Sequence, residues 1–182
     1  MRPTAAGAPI VLFLAAFALG GIAEPAAAQP ASRSNEIPQS LRVEHDDTLN
    51  QLTALARRPG PVGVEAQKAL VLYKRHLQRE EEFILPPLTL LPQLADGKAS
   101  ADMKWAIAMA ERVKAEREQI FQEHTQISDA MNALATAAQK AHDTAALDFA
   151  HTAVADSLND IELLEPMAIV VGEFLKVKLS GQ

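Results

Sequence analysis

Ten residues separate His76 from Pro86, and ten separate Asp156 from Pro166. Between those points Glu80 aligns with Asp160, Glu82 with Glu162, and Phe83-Ile84 with Leu163-Leu164. Upstream, Glu44-His45 is echoed by Glu123-His124. A repeated helix hairpin constrains a fold strongly. One hairpin cannot bury its own apolar face, so two copies must close on each other. The expected architecture is all-α, an up-down four-helix bundle with two-fold pseudosymmetry. Each half then sends a His from its first helix, and an acid-bearing turn from its second, toward one central cavity.

Apolar periodicity and helix breakers predict helices over about 39–57, 62–85, 101–140 and 145–177. Pro59-Gly60 ends the first, whose stripe of Leu41, Leu49, Leu52 and Leu55 includes His45. Pro86-Pro87 breaks or kinks the second, since proline lacks a backbone donor and crowds the preceding turn. Leu88 to Leu94 reads as one further turn, and Ser100 as an N-cap. The third helix has an inner stripe of Val113, Ile120, His124, Ile127, Met131 and Leu134, the 3-4 spacing of bundle packing. Its first half carries a solvated charged face, Glu111 to Glu118. His142 falls in the following loop. In the fourth helix Pro166 marks a kink, and two stripes compete for the interior. One is Phe149, Ala153, Asp156, Asp160, Leu163, Met167, Val170 and Phe174; the other is His151, Val154, Leu158, Ile161 and Glu165.

His76 and Glu80 lie about 40° apart on a helix, on a face shared with Ala69, Tyr73 and Phe83/Ile84. A carboxylate among apolar residues is costly unless something neutralises it. A metal ion held between helices is one solution. The other is a position at the stripe's edge, where Glu80 reaches water beside Glu81 and Glu82. The chain has no cysteine, which excludes disulfides, thiolate metal sites and a Cys nucleophile. Any metal is therefore held by His, Asp and Glu, a donor set suited to iron, manganese or zinc. Aromatic residues make up 4% and hydrophobic residues 48%, a balance that favours helix over strand. The net charge of −6, with no Lys/Arg block, argues against a nucleic-acid partner.

The run Leu41-Arg-Val-Glu-His45, then His76-x-x-x-Glu80-Glu-Glu-x-Ile-Leu-Pro86, then Glu123-His124, resembles a hemerythrin-type, HHE cation-binding domain over about residues 39–175. That resemblance implies a four-helix bundle with a carboxylate-bridged, non-haem di-iron centre. It implies binding, sensing or detoxifying oxygen, nitric oxide or peroxide, or iron binding. His45, His76, Glu80 and His124 carry over as metal ligands. The fourth helix departs from the family's His-x-x-x-Glu and has Asp156-x-x-x-Asp160 instead. A different family spacing, His-x-x-x-x-Asp, pairs His151 with Asp156. The third helix has Ser128 where a second His stands in oxygen carriers, which shifts preference toward a harder metal and away from reversible dioxygen carriage. The repeat favours Asp160 over His151. Two further readings stand beside a metal-binding protein: a metal-free helical interaction domain, and a di-iron oxidase or peroxidase with Tyr73 near the metal.

Residues 1–28 read as an export signal. Arg2 is followed by the apolar run Ile10 to Ala18 and by Ala26-Ala27-Ala28 before Gln29. Cleavage there removes one Arg and one Glu and leaves the charge at −6. Residues 29–38 are the expected flexible lead-in, and 39–182 the domain. The expected location is the periplasm in a Gram-negative host, or outside the cell otherwise, with no membrane partner after cleavage.

Overall fold

A computed structural model describes residues 36–181, so the expected export signal and residues 29–35 of the expected lead-in lie outside the described residues. Helices joined by short turns make up the described residues, with no strand among them. The helices are α1 (Gln39–Ala56), α2 (Pro61–Arg79), α3 (Leu91–Ala95), α4 (Trp105–Lys140), α5 (Thr144–Asn159) and α6 (Glu165–Leu179). Ile37, expected in the lead-in, is buried against the core.

The connections follow from their residues. Gly60 turns the chain with φ 86° between α1 and α2, and Pro61 opens α2 where its missing N–H costs nothing. His142 closes α4 in the left-handed region, at φ 55°. The Asp143 N–H bonds Ala138 O behind it, and the Asp143 carboxylate then caps α5 through Ala146 N. Ser100 does not cap in the expected way. Its hydroxyl donates to the Asp102 carboxylate, and a 3-10 turn, Ala101–Lys104, leads into α4.

Both prolines expected to kink a helix do something more specific. Glu80–Ile84 and Asp160–Leu164 are π-helical turns, each one residue short of a proline. Leu85 N bonds Glu80 O, and the Glu165 N–H bonds Asp160 O, each five residues back. A proline ring crowds the carbonyl four residues before it, and a wider turn relieves that clash. The repeat seen in the sequence thus recurs in the backbone. After Pro86 the chain leaves the helix through the 3-10 turn Pro86–Leu90 and α3; after Pro166 it continues straight into α6.

The π turn in the second half corrects the predicted stripe. Asp156, Asp160, Ala153 and Phe149 lean inward, but Leu163 and Val170 are exposed. One extra residue in the turn rotates everything after it by about 100°. The inner face therefore runs Ala146, Ala150, Ala153, Ser157, Glu165, Ala168, Gly172, Leu175. Residues from both predicted stripes end up outside.

Packing places α4 against α2 on one side and against α5 and α6 on the other. α1 lies along α2 and touches α5 only lightly. One apolar layer joins Leu52, Leu70, Met131, Leu134 and several alanines of α2, α4 and α5. Another joins Phe83, Ile84, Leu85, Val113, Ile120 and Ala168. Between them lies a polar layer drawn from α1, α2 and its π turn, α4, α5 and α6: His45, His76, Glu80, His124, Ser157 and Glu165, all buried.

Candidate metal centre

Each helix brings its polar residue inward because apolar residues flank it at helical spacing. On α2, Ala69, Leu70 and Leu77 lie on the buried face with His76, and Glu80 begins the π turn one helical turn later. On α4, Ile120 and Ile127 bracket His124. The cavity between them is lined by Glu44, His45, Thr48, Tyr73, His76, Glu80, His124, Asp156, Ser157 and Asp160, with Ile127, Met131 and Ala153. It admits the centre of a water-sized sphere over about 20 Å³. That is room for an ion with a water or a diatomic, and too little for an organic substrate.

The contacts converge on Glu80. Its Oε1 lies 3.1 Å from His76 Nε2, and its Oε2 lies 3.5 Å from His45 Nε2. On the other side His124 Nε2 lies 3.1 Å from Glu165 Oε1. The His76 and His124 rings are 4.1 Å apart, edge to face. These short approaches are not hydrogen bonds: His76 Nε2, His124 Nε2 and Glu165 Oε1 are buried without a hydrogen-bond partner. Buried nitrogen and oxygen atoms set this close together face a common space that an ion would satisfy. His76, Glu80 and His124 each offer a ligand atom within 4.8 Å of the others, so this group can hold a metal ion.

The opposite ring nitrogens are occupied. His76 Nδ1 lies 3.2 Å from Glu123 Oε2, and His124 Nδ1 lies 2.9 Å from Ser157 Oγ. In the tautomer that donates Nδ1–H outward to these groups, Nε2 is left with its lone pair toward the cavity.

The electrostatics are those of a crowded acid site. Burial pushes Asp160 up to about 8, with the Glu80, Glu44 and Asp156 charges adding and His76 opposing. Burial also raises Asp156. Glu44 is raised by burial and by Asp156 and Glu80, against His45. Glu80 goes the other way. Burial acts to raise it, but contact with His76, helped by His45 and His124, holds it below the usual range. For His76, burial lowers the affinity for a proton and the Glu80 and Glu123 carboxylates more than restore it. Among the residues lining the cavity there is no Lys or Arg. The acids are balanced only by imidazoles, a donor set of nitrogen and oxygen that fits iron, manganese or zinc.

The structure brings together six of the seven candidate residues: His45, His76, Glu80, His124, Asp156 and Asp160. The seventh, His151, is exposed on the outer face of α5 and does not reach the cavity. An imidazole about 140° round the helix from Asp156 cannot share its target. His142 is exposed in its loop, as expected. The sequence reading missed the roles of Glu165, which faces His124, and of Glu123, which backs His76. Glu165 was legible only as a member of the weaker stripe; the π turn carries it inward. Compared with family models, curated proteins and solved structures, the chain gives no match to any of them.

Proposed function

We propose that this chain is an up-down four-helix bundle of the hemerythrin type that holds a dinuclear non-haem metal centre, iron foremost, between α1, α2, α4 and the α5–α6 rod. The observation that carries this reading is the set of buried, unbonded atoms aimed at one another: His76 Nε2, His124 Nε2 and Glu165 Oε1 beside Glu80. Leaving several such atoms unsatisfied in a core costs on the order of 1–3 kcal/mol each, and coordination removes that cost. His76, Glu80 and His124 would hold the metal, with His45, Glu165, Asp160 and Asp156 as the further ligands at hand. When bound, iron supplies reversible redox chemistry toward oxygen, nitric oxide or peroxide. The protein's own part is to orient the imidazoles, to keep the cavity small enough for a diatomic or peroxide, and to exclude larger molecules.

Metal content per chain after expression with iron tests this. Wild type carries metal, and His76→Ala, Glu80→Ala, His124→Ala and Glu165→Ala each lose most of it. His142→Ala and His151→Ala keep it. A wild-type protein free of metal after reconstitution with iron, manganese and zinc favours the metal-free interaction domain instead. An oxidase or peroxidase reading draws on Tyr73, which lines the same cavity, its phenol held protonated by burial and by Glu80. Peroxide turnover abolished by Tyr73→Phe, with metal content unchanged, would single out that reading. We also propose export, on the residues of the N-terminal segment. N-terminal sequencing of the protein from an exporting host, starting at Gln29, checks it.

A further inference from the structure

The three imidazoles at the cavity are backed differently. Behind His45 Nδ1 the nearest carboxylate is that of Glu81, 3.9 Å away and partly in solvent. Behind His124 Nδ1 stands a hydroxyl, Ser157. Behind His76 Nδ1 stands the carboxylate of Glu123, itself 5% exposed. A buried carboxylate is costly unless something holds it in place. Here Arg79 Nε lies 3.2 Å from the oxygen that faces His76, and Gln119 Nε2 donates to the other at 3.2 Å. Arg79 is steadied in turn by Glu116 at 2.6 Å, and Glu116 by Arg112 at 2.8 Å. The chain of contacts runs from the surface of α4 to one ring nitrogen.

We infer that Glu123 is a positioning residue: it fixes the tautomer and the orientation of His76 so that Nε2 is the strongest imidazole donor of the site. This rests on the metal reading above. A carboxylate accepting from the far nitrogen makes the near nitrogen a better donor and locks the ring's direction. A hydroxyl does this more weakly, because it carries no charge. The three histidines are therefore unequal, and His76 is the one whose support is most worth removing.

Zinc, which is diamagnetic, is the probe. Zinc affinity of the full chain is measured by competition with a chromophoric chelator, for wild type, Glu123→Ala, Glu123→Gln and Ser157→Ala. The expected loss is roughly 10–100-fold for Glu123→Ala, the range for removing such a partner. Glu123→Gln recovers part of it, because its carbonyl still accepts from Nδ1–H. Ser157→Ala loses less than Glu123→Ala. Unfolding in chelator separates positioning from stability: a zinc loss that persists after each variant's metal-free stability is accounted for supports the role. Nitrogen-proton correlation spectra of zinc-loaded wild type supply a reading that needs no variant. A slowly exchanging Nδ1–H on His76 supports the inference, and a His76 bound through Nδ1 overturns it. Wild-type zinc binding with Glu123→Ala unchanged also overturns it while leaving the metal reading intact. A wild type that binds no zinc, iron or manganese overturns both.

Discussion

Asp160→Asn separates the cost of the metal site from its use. In the metal-free protein the Asp160 carboxyl is pushed from 3.8 up to about 8 by burial and by the neighbouring acids. Between those values the folded state holds a proton that the unfolded state has released. Stability from this group is thus fully present below the unfolded value and falls as pH rises toward the folded one. At about 1.4 kcal/mol per pH unit, the whole displacement amounts at pH 7.5 to ~5 kcal/mol withheld from folding. Part of it is repulsion from Glu80 and Glu44, which neighbouring groups relieve by taking protons themselves. A gain of ~2–4 kcal/mol on removing the need for that proton is therefore expected. The asparagine side chain has the shape of the neutral acid without the need for a proton. In chelator, urea unfolding followed by circular dichroism should show Asp160→Asn more stable than wild type by that amount at pH 7.5. At pH 4.5 the gain should fall below ~1 kcal/mol, because wild-type Asp160 is protonated at little cost there. With saturating zinc the order should reverse, since wild type alone keeps the carboxylate for the ion. An equal shift at both pH values, or a loss of stability at pH 7.5 in chelator, would refute the reasoning.

Three further outcomes are expected. Metal binding at pH 7 should release protons, because burial and the neighbouring acids raise Asp160 to about 8 in the metal-free protein; calorimetric heats should vary with buffer ionisation enthalpy, consistent with about one proton. Thr48 and Asp156 line both the cavity and the open groove between α1 and α5. Thr48→Trp should therefore slow metal uptake in stopped flow several-fold more than it changes equilibrium metal content. Gly172→Ala should lower stability by ~1–3 kcal/mol and Tm by a few degrees, because its new methyl falls on Ala110 Cβ where α6 crosses α4.

The first hairpin was legible because its rules are local. Val62, Ala66, Ala69, Leu70, His76 and Leu77 keep one helical period, so a straight extrapolation puts His76 and Glu80 in the interior, where they are. On α4 the stripe from Val113 through His124 to Leu134 is buried throughout, for the same reason. The second hairpin was half legible. Extrapolation worked as far as Asp156 and Asp160, which line the cavity, and failed beyond them, since a period of 3.6 does not hold across a π turn. One and the same error puts Leu163 and Val170 inside, where they are not, and overlooks Glu165.

That error had a readable cause. Six residues separate Glu80 from Pro86, and six separate Asp160 from Pro166. An acid followed at that distance by a proline occurs in both halves, and in both the acid's carbonyl accepts from five residues on. The halves nevertheless solve the site differently. The first places an imidazole one turn before its acid, and Glu80 meets His76 directly. The second has Asp156 in that place, and His124 has no partner from the aligned position. The extra residue of the second π turn brings Glu165 round to meet His124 instead. Removing that residue, by deleting Leu163 from the exposed side of the turn, restores the 3.6 period. Glu165 then stands seven residues after Ser157 in an unbroken helix and keeps its inward face. Metal content should therefore stay near the wild-type level, unlike in Glu165→Ala, while circular dichroism stays helical; a loss as deep as in Glu165→Ala would refute the account of the turn.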